Sequence, residues 1–170
     1  SVKTVNKVIP GLITTFEVAL AQKFDEKRLE GKKSVYIEPK LDGIRCFAIV
    51  RNGTATLYAR SGIVISNFNS TIGEELSRLP EGCYDGEIMG EDFITLMRQA
   101  YRKEGVETAG TYLALFDYLP LNDWLTKQTT MPARERYGKM YTFLWHAGEM
   151  KHLRHVERRT VSTDCSEIMK

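Results

Sequence analysis

The strongest chemical signal in the chain is the run Lys40-Leu41-Asp42-Gly43-Ile44-Arg45, which lies between two predicted strands. A lysine held near an arginine and among backbone amides can have its ammonium form disfavoured, and the free amine is a nucleophile. Gly43 lets the chain turn or approach a ligand closely, and Asp42 can brace the loop. Arg45 offers a fixed cation for a phosphate or a carboxylate. The run therefore predicts a nucleophilic Lys40 beside an anion-binding arginine.

Taken alone, this run also fits a surface lysine beside a hairpin turn, because Asp-Gly is a common turn dipeptide. Three later segments favour the chemical interpretation. Arg60 follows a predicted strand, an Asp-Gly-Glu run ends at Glu87, and Phe116 lies in an apolar segment. Each is weak by itself, since Asp-Gly-Glu is frequent in turns and an aromatic residue in a strand usually belongs to the core.

The elements that must position these residues follow from the apolar pattern and the turn residues. Asn52-Gly53 is a strong hairpin signal between two strands. The predicted strands cover residues 34–39, 44–51, 54–60, 82–89, 111–119 and 153–161. The predicted helices cover residues 12–29, 70–79, 93–103 and 132–145, with a last helix capped by Ser162 or Thr163. Strands in hairpins separated by helices predict an α+β fold, with antiparallel or mixed sheets and helices packed on them.

These motifs, in this order, resemble those of the covalent nucleotidyltransferase superfamily: ATP-dependent DNA ligases, RNA ligases and mRNA-capping guanylyltransferases. The lysine run is similar to the family's KxDGxR motif. The segment Tyr58-Ala59-Arg60-Ser61-Gly62 looks like the ligase motif Ser-Arg-x-Gly, with alanine in place of the serine. Tyr84-Asp85-Gly86-Glu87 resembles the Asp-Gly-Glu motif, and Leu113-Ala114-Leu115-Phe116-Asp117-Tyr118 resembles the strand whose aromatic residue stacks on the purine. The resemblance covers roughly residues 15–120 and implies an ATP-grasp-like nucleotidyltransferase fold.

The resemblance implies a nucleotide pocket built from named residues. Lys40 would carry AMP covalently, and Glu38, two residues earlier, would read the adenine amino group. Phe116 would stack on the base. Arg45 and Arg60 would contact the nucleotide, or DNA in the case of Arg60.

The resemblance also implies ATP and Mg²⁺ as cofactors. Glu87 would meet the ribose or the metal, and Asp85 would support the site together with Asp42 and Gly43. The expected partner is nicked double-stranded DNA. We further expect a monomer without membrane association, in the cytoplasm or, in a eukaryote, the nucleus.

Three features favour a DNA ligase over a capping enzyme: Glu38 before the lysine, the Arg-x-Gly character of residues 60–62, and the segment 19–28. An RNA ligase, which shares the first and third motifs, a guanylyltransferase and a non-catalytic nucleotide-binding module remain alternatives at this stage. A ligase continues with a Glu-Gly-x-x-x-Lys segment, a Lys-x-Lys pair and an oligonucleotide-binding barrel, and we find none of these. We therefore expect residues 1–170 to be a partial adenylation domain that reacts weakly, or not at all, by itself.

Composition adds broad limits. Hydrophobic residues make up 42% and charged residues 27% of the chain, as in soluble domains with one core. The three cysteines are too few and too scattered for a disulfide framework or a zinc site, so we expect reduced thiols. A basic stretch near the end contains Arg154, Arg158 and Arg159. It fits either contacts to DNA phosphates or a solvated strand face.

Overall fold

A computed structural model describes Lys27 and residues 30–103 and 106–163. The predicted helices over residues 12–29 and after Ser162 therefore lie outside the described residues, apart from Lys27. The described chain divides into two compact units, one made of residues 41–155 and the other of residues 30–40 and 156–163. No described helix has the length and apolar character needed to cross a membrane.

The larger unit is built on a five-stranded sheet with the order β3-β2-β4-β5-β6. Neighbouring strands are antiparallel except β5 and β6, which run parallel. The strands are β2 (Ile44–Arg51), β3 (Thr54–Ala59), β4 (Gly82–Met89), β5 (Tyr112–Leu119) and β6 (Leu153–His155). The helices are α1 (Glu74–Leu76), α2 (Phe93–Tyr101), α3 (Leu121–Thr126) and α4 (Ala133–Ala147). This mixed sheet with packed helices confirms the predicted α+β class.

The predicted hairpin between β2 and β3 is confirmed. Asn52 has a φ of 53° and Gly53 a φ of 70°, both in the left-handed region. Two consecutive residues with positive φ form the type of tight turn whose twist matches that of the flanking strands. The turn places Arg51 opposite Thr54 and thereby sets the register of the whole hairpin.

Alternation along the strands gives the sheet two faces. We call one the core face, because its side chains form the main apolar cluster with α1 and α4. From the four long strands this cluster takes mainly Ile44, Cys46, Ala48, Val50, Leu57, Ala59, Tyr84, Ile88, Leu113, Leu115 and Tyr118. Met140 of α4 and Leu76 of α1 are fully buried in the same cluster.

The opposite face, which we call the site face, is apolar over only part of its area. Phe47, Tyr58 and Cys83 are buried there in a second, smaller cluster. Trp124 of α3 covers this cluster, with its ring centroid 4.5 Å from that of Phe47. The rest of the site face bears polar and charged side chains.

The smaller unit contains a two-stranded antiparallel sheet, β1 (Ser34–Ile37) with β7 (Arg159–Ser162). Val35 lies opposite Val161 in this ladder. The Thr163 backbone N–H donates to the Lys33 carbonyl at 3.2 Å, and its hydroxyl donates to the Lys32 carbonyl at 2.9 Å. Local hydrogen bonds thus extend the pairing beyond the strand end.

The structure corrects two predicted elements. The helix over residues 70–79 is a π-helical turn, Asn69–Gly73, followed by only three α-helical residues, and no side chain caps it. The Gly73 N–H donates to the Phe68 carbonyl at 2.9 Å, which makes the turn wide. The strand over residues 153–161 is two strands, β6 and β7, in different sheets. The structure also adds α3, for which the sequence predicted no element, because six residues are too few to show helical periodicity.

Candidate active site

The charged part of the site face is made by three neighbouring strands. Arg45 of β2 lies directly opposite Glu87 of β4, and Asp85 precedes Glu87 by two residues on the same face. Phe116 comes from β5, the next strand. Side chains from the lysine motif, the Asp-Gly-Glu motif and the aromatic strand are therefore brought together, as predicted from their order along the chain.

Arg45 is the centre of this arrangement. Its Nε donates to one carboxylate oxygen of Asp85 at 2.8 Å and its Nη2 to the other at 2.7 Å. Both side chains are mostly buried, with exposed fractions of 16% for Arg45 and 14% for Asp85. The guanidinium also lies over the Phe116 ring, with 4.7 Å between its central carbon and the ring centroid. A bidentate ion pair stacked on an aromatic ring leaves the arginine little freedom to move.

The loop before β2 is tied to β4 through Gly43. Its backbone N–H donates to Glu87 Oε2 at 3.2 Å. A Cβ atom at position 43 would overlap the carbonyl oxygen of Ile88 and come within 2.7 Å of the Met89 sulfur. Glycine is thus required by the close approach of two backbones. Glu87 thus braces the loop, whereas Asp42 is exposed and its supporting role stays a prediction.

A β-bulge sets the direction of Phe116. Asp85 pairs with Asp117, whereas its neighbour Gly86 pairs with Leu115, so Phe116 is left over in β5. The extra residue shifts the alternation and places both Phe116 and Asp117 on the site face. A β-bulge at this point could not be read from the apolar pattern.

Asp117 is anchored by an arginine that the sequence did not single out. Arg136 of α4 donates from Nε and Nη2 to the two Asp117 oxygens at 2.9 and 3.2 Å. Its Nη1 donates to the Met131 carbonyl at 2.7 Å. Two carboxylates that face each other in the ladder, Asp85 and Asp117, are thereby each neutralised by a separate arginine.

Burial shifts the acid–base properties of these groups. Burial raises the pKa of Asp85, because the charged form loses hydration, and the hydrogen bonds from Arg45 only partly oppose this. Burial also raises the pKa of Glu87, against the hydrogen bond from Gly43. Burial alone would lower the pKa of Arg45, but the contacts with Asp85 raise it.

Arg60 is placed differently from Arg45. It follows the last residue of β3 in a turn, where Gly62 donates its N–H to the Ala59 carbonyl at 2.8 Å. Its side chain is exposed and forms no hydrogen bond or ion pair with any residue that the structure describes. The role predicted for Arg60 therefore stays a prediction.

Lys40 and Glu38 belong to the smaller unit. Lys40 is exposed and has no ion pair within the described ranges. Glu38 accepts a hydrogen bond from Arg158 Nε at 2.6 Å, and the Arg158 guanidinium lies 5.1 Å from the centroid of the Tyr36 ring. With its side chain only 12% exposed, Arg158 does not lie on the solvated strand face that was one interpretation of the basic stretch.

Glu87, the predicted metal ligand, has few neighbouring side chains that could share a metal ion. The described residues contain no group of three or more acidic, histidine or cysteine side chains able to hold a metal ion. Both Asp85 oxygens are occupied by Arg45, and Glu87 Oε2 by Gly43. Glu87 Oε1 is left as one carboxylate ligand. A single carboxylate suits Mg²⁺, which usually keeps waters and takes its other ligands from substrate phosphates.

Several solved structures are similar in fold to this chain. The protein named Pmar-Lig_Pre is 28% identical, with a TM-score of 0.73 over 83% of this chain and 34% of that one. The ATP-dependent DNA ligase of bacteriophage T7, in complex with ATP, is 18% identical, with a TM-score of 0.61 over 85% of this chain and 54% of that one. The Chlorella virus DNA ligase-adenylate is 19% identical, with a TM-score of 0.59 over 84% and 49% of the two chains. The two viral structures support the fold alone.

This chain spans about a third to a half of the length of those proteins. No curated protein sequence matches it. Residues 18–169, however, match the profile of the ATP dependent DNA ligase domain. Because that match covers most of the 170 residues, the chain belongs to the ATP-dependent DNA ligase domain family.

Proposed function

We propose that this chain is the adenylation domain of a DNA ligase and that Lys40 is the residue that accepts AMP from ATP. The observation that supports this best is the convergence of three motifs on one face of the sheet. Gly43 of the lysine motif bonds to Glu87, and Arg45 of the same motif pairs with Asp85 and stacks on Phe116. The lysine motif is thus an integral part of a built site.

The proposed first step is an in-line attack by the neutral Lys40 amine on the α-phosphorus of ATP. The nitrogen lone pair forms the P–N bond, and the bond between the α-phosphorus and the oxygen bridging to the β-phosphate breaks. Pyrophosphate leaves with that electron pair, and the nitrogen releases a proton to water. Mg²⁺, held by Glu87 and the phosphates, would supply positive charge for the departing pyrophosphate.

Phe116 would hold the adenine during this step. The Arg45 guanidinium already covers one face of the Phe116 ring, so a base would stack on the other face. Arg45 is itself held by Asp85, and both side chains are mostly buried. The aromatic platform is therefore preorganised before a nucleotide arrives, which reduces the cost of ordering it on binding.

In the next steps AMP would pass to DNA. An oxygen of a 5′-phosphate at a nick attacks the α-phosphorus of the lysine adduct, and the P–N bond breaks as Lys40 regains a proton. The 3′-hydroxyl then attacks the 5′-phosphorus, loses its proton, and displaces AMP. The phosphodiester bond is thereby sealed.

Incubation of the natural full-length protein with magnesium and α-labelled ATP tests the first step. We expect covalent label in the wild type and none in Lys40→Ala, with Lys33→Ala, another exposed lysine of the smaller unit, labelled like the wild type. Label that persists in Lys40→Ala would refute the proposal. Reversible ATP binding without label would indicate a non-catalytic module. Labelling by α-labelled GTP in preference to ATP would indicate a capping enzyme, and sealing of nicked RNA in preference to nicked DNA an RNA ligase.

A further inference from the structure

A row of residues crosses the site face from β2 to the edge of the sheet. Arg45 pairs with Glu87, Glu87 pairs with Ala114, and Ala114 pairs with Arg154 of β6. The pair just before it, Leu113 and Leu153, is buried in the main cluster on the core face. Since side chains alternate along a strand, Arg154 must lie on the same face as Arg45 and Glu87.

The Arg154 side chain is exposed, but its orientation is restrained by an aromatic ring. Its guanidinium lies 4.0 Å from the centroid of the Tyr112 ring, which restrains the cation on the site face. Between Glu87 and Arg154 the row contains only the methyl group of Ala114, so no large side chain separates the two. The edge of the sheet therefore presents an oriented cation two strands away from the Glu87 carboxylate, with Ala114 between them.

Charge distinguishes Arg154 from the two arginines that hold Asp85 and Asp117. Arg45 is neutralised by Asp85 and Arg136 by Asp117. Arg154 alone among the three has no carboxylate partner in the part of the chain that the structure describes. Its positive charge is thus available to an external anion, and a guanidinium restrained on a ring loses less freedom when it binds a phosphate.

We propose that Arg154 is a phosphate-binding residue at the β6 edge of the site, oriented by Tyr112. This inference rests on the proposed function, because it takes the anion to be a substrate phosphate. Two substrates carry phosphates: ATP in its triphosphate and the nicked duplex in its backbone. The shared chemistry is a charge-assisted, two-pronged hydrogen bond to phosphate oxygens.

The test measures binding of two probes to the full-length protein without magnesium, so that no turnover occurs. ATP binding is measured by calorimetry and binding of a nicked duplex by fluorescence anisotropy at several salt concentrations. The variants are Arg154→Ala, Arg154→Lys and Tyr112→Leu. The matched control is Arg51→Ala, which removes an exposed arginine at the opposite end of the same sheet.

We expect Arg154→Ala to weaken one probe by about fivefold, with partial recovery in Arg154→Lys and a smaller loss in Tyr112→Leu. If the probe is the duplex, the slope of log affinity against log salt concentration should also fall by about one, which corresponds to one phosphate contact fewer. A loss confined to ATP would assign the triphosphate, and a loss confined to the duplex would assign the backbone.

Unchanged affinity for both probes in Arg154→Ala would overturn the inference. Equal weakening of both probes together with a lowered unfolding temperature would overturn it too, since that pattern indicates a structural role. These binding readouts do not depend on covalent label at Lys40. The Arg154 inference and the proposed function can therefore fail separately.

Discussion

The two faces of the five-stranded sheet use the same strands for opposite purposes. On the core face Leu113 and Leu115 are fully buried among apolar neighbours. On the site face the next residue, Phe116, is only partly buried and lies against the Arg45 guanidinium. Adjacent residues of one strand, Leu115 and Phe116, thus lie in the core and in the candidate site respectively, because alternation points them to opposite sides.

The contrast shows how the site is kept rigid without being apolar. Arg45 and Arg136 each donate two hydrogen bonds to a carboxylate, Asp85 and Asp117 respectively. Among the described residues, no such ion pairs hold the apolar cluster on the core face together. Buried charges are tolerated when they are paired in this way. The site face is therefore ordered by ion pairs where the core face is ordered by packing.

The largest effects are expected from truncating two neighbouring residues of β5, one on each face of the sheet. Leu115→Ala should lower the free energy of unfolding by about 2–5 kcal/mol, because it leaves a cavity in the core. Phe116→Ala should cost clearly less stability but strongly reduce labelling by ATP, since it removes the stacking platform. Urea unfolding and labelling of both variants check this pair. Equal destabilisation by the two variants would mean that Phe116 is a core residue.

A smaller effect is expected from the anchor behind the site. Arg136→Met should lower the free energy of unfolding by about 1–2 kcal/mol, because it leaves the Asp117 carboxylate unpaired while some water can still reach it. Arg134→Met, at an exposed position on the same helix, is the control and should change little. A double variant with Asp117→Asn should recover part of the loss. Without such recovery, Arg136 would stabilise the fold through packing alone.

The smallest effect concerns pH. The pKa of Asp85 is raised by burial, so the folded state keeps this proton to a higher pH than the unfolded chain. The contribution of Asp85 to stability is therefore fully present below its ordinary pKa and is lost as pH rises through the raised one. We expect Asp85→Asn to remove this decline from unfolding curves measured between about pH 4 and pH 7.

Asp92 provides a control of opposite sign. Hydrogen bonds from Thr95 lower its pKa, so its contribution is present above the ordinary pKa and is lost as pH falls. Asp92→Asn should make the decline in stability with rising pH steeper. Parallel curves for Asp85→Asn and the wild type would show that Asp85 does not titrate differently in the two states.

Much of the fold was predictable, and the misses have two causes. The β2–β3 hairpin followed from Asn52-Gly53, and the helix Phe93–Tyr101 from its pattern, with Asp92 accepting from the Thr95 N–H at its start. The short helix α3 and the break between β6 and β7 were missed. Short elements hold too few residues to show a period, and periodicity does not say which sheet a strand joins.

The candidate site, like the fold, has parts that the sequence predicted and parts that it did not. The order of motifs predicted that Arg45, Asp85, Glu87 and Phe116 meet, because each motif depends on local residue types and spacing. The partners Arg136 and Arg158 were not predicted, since neither belongs to a motif and nothing local marks the carboxylate that each binds. The sequence by itself determined the α+β class, the hairpin and, through the family resemblance, the grouping of Arg45, Asp85, Glu87 and Phe116. Only the tertiary structure decided the β-bulge that turns Phe116, the arginine behind Asp117 and the placement of Arg154, because these depend on strand register and on contacts between distant segments.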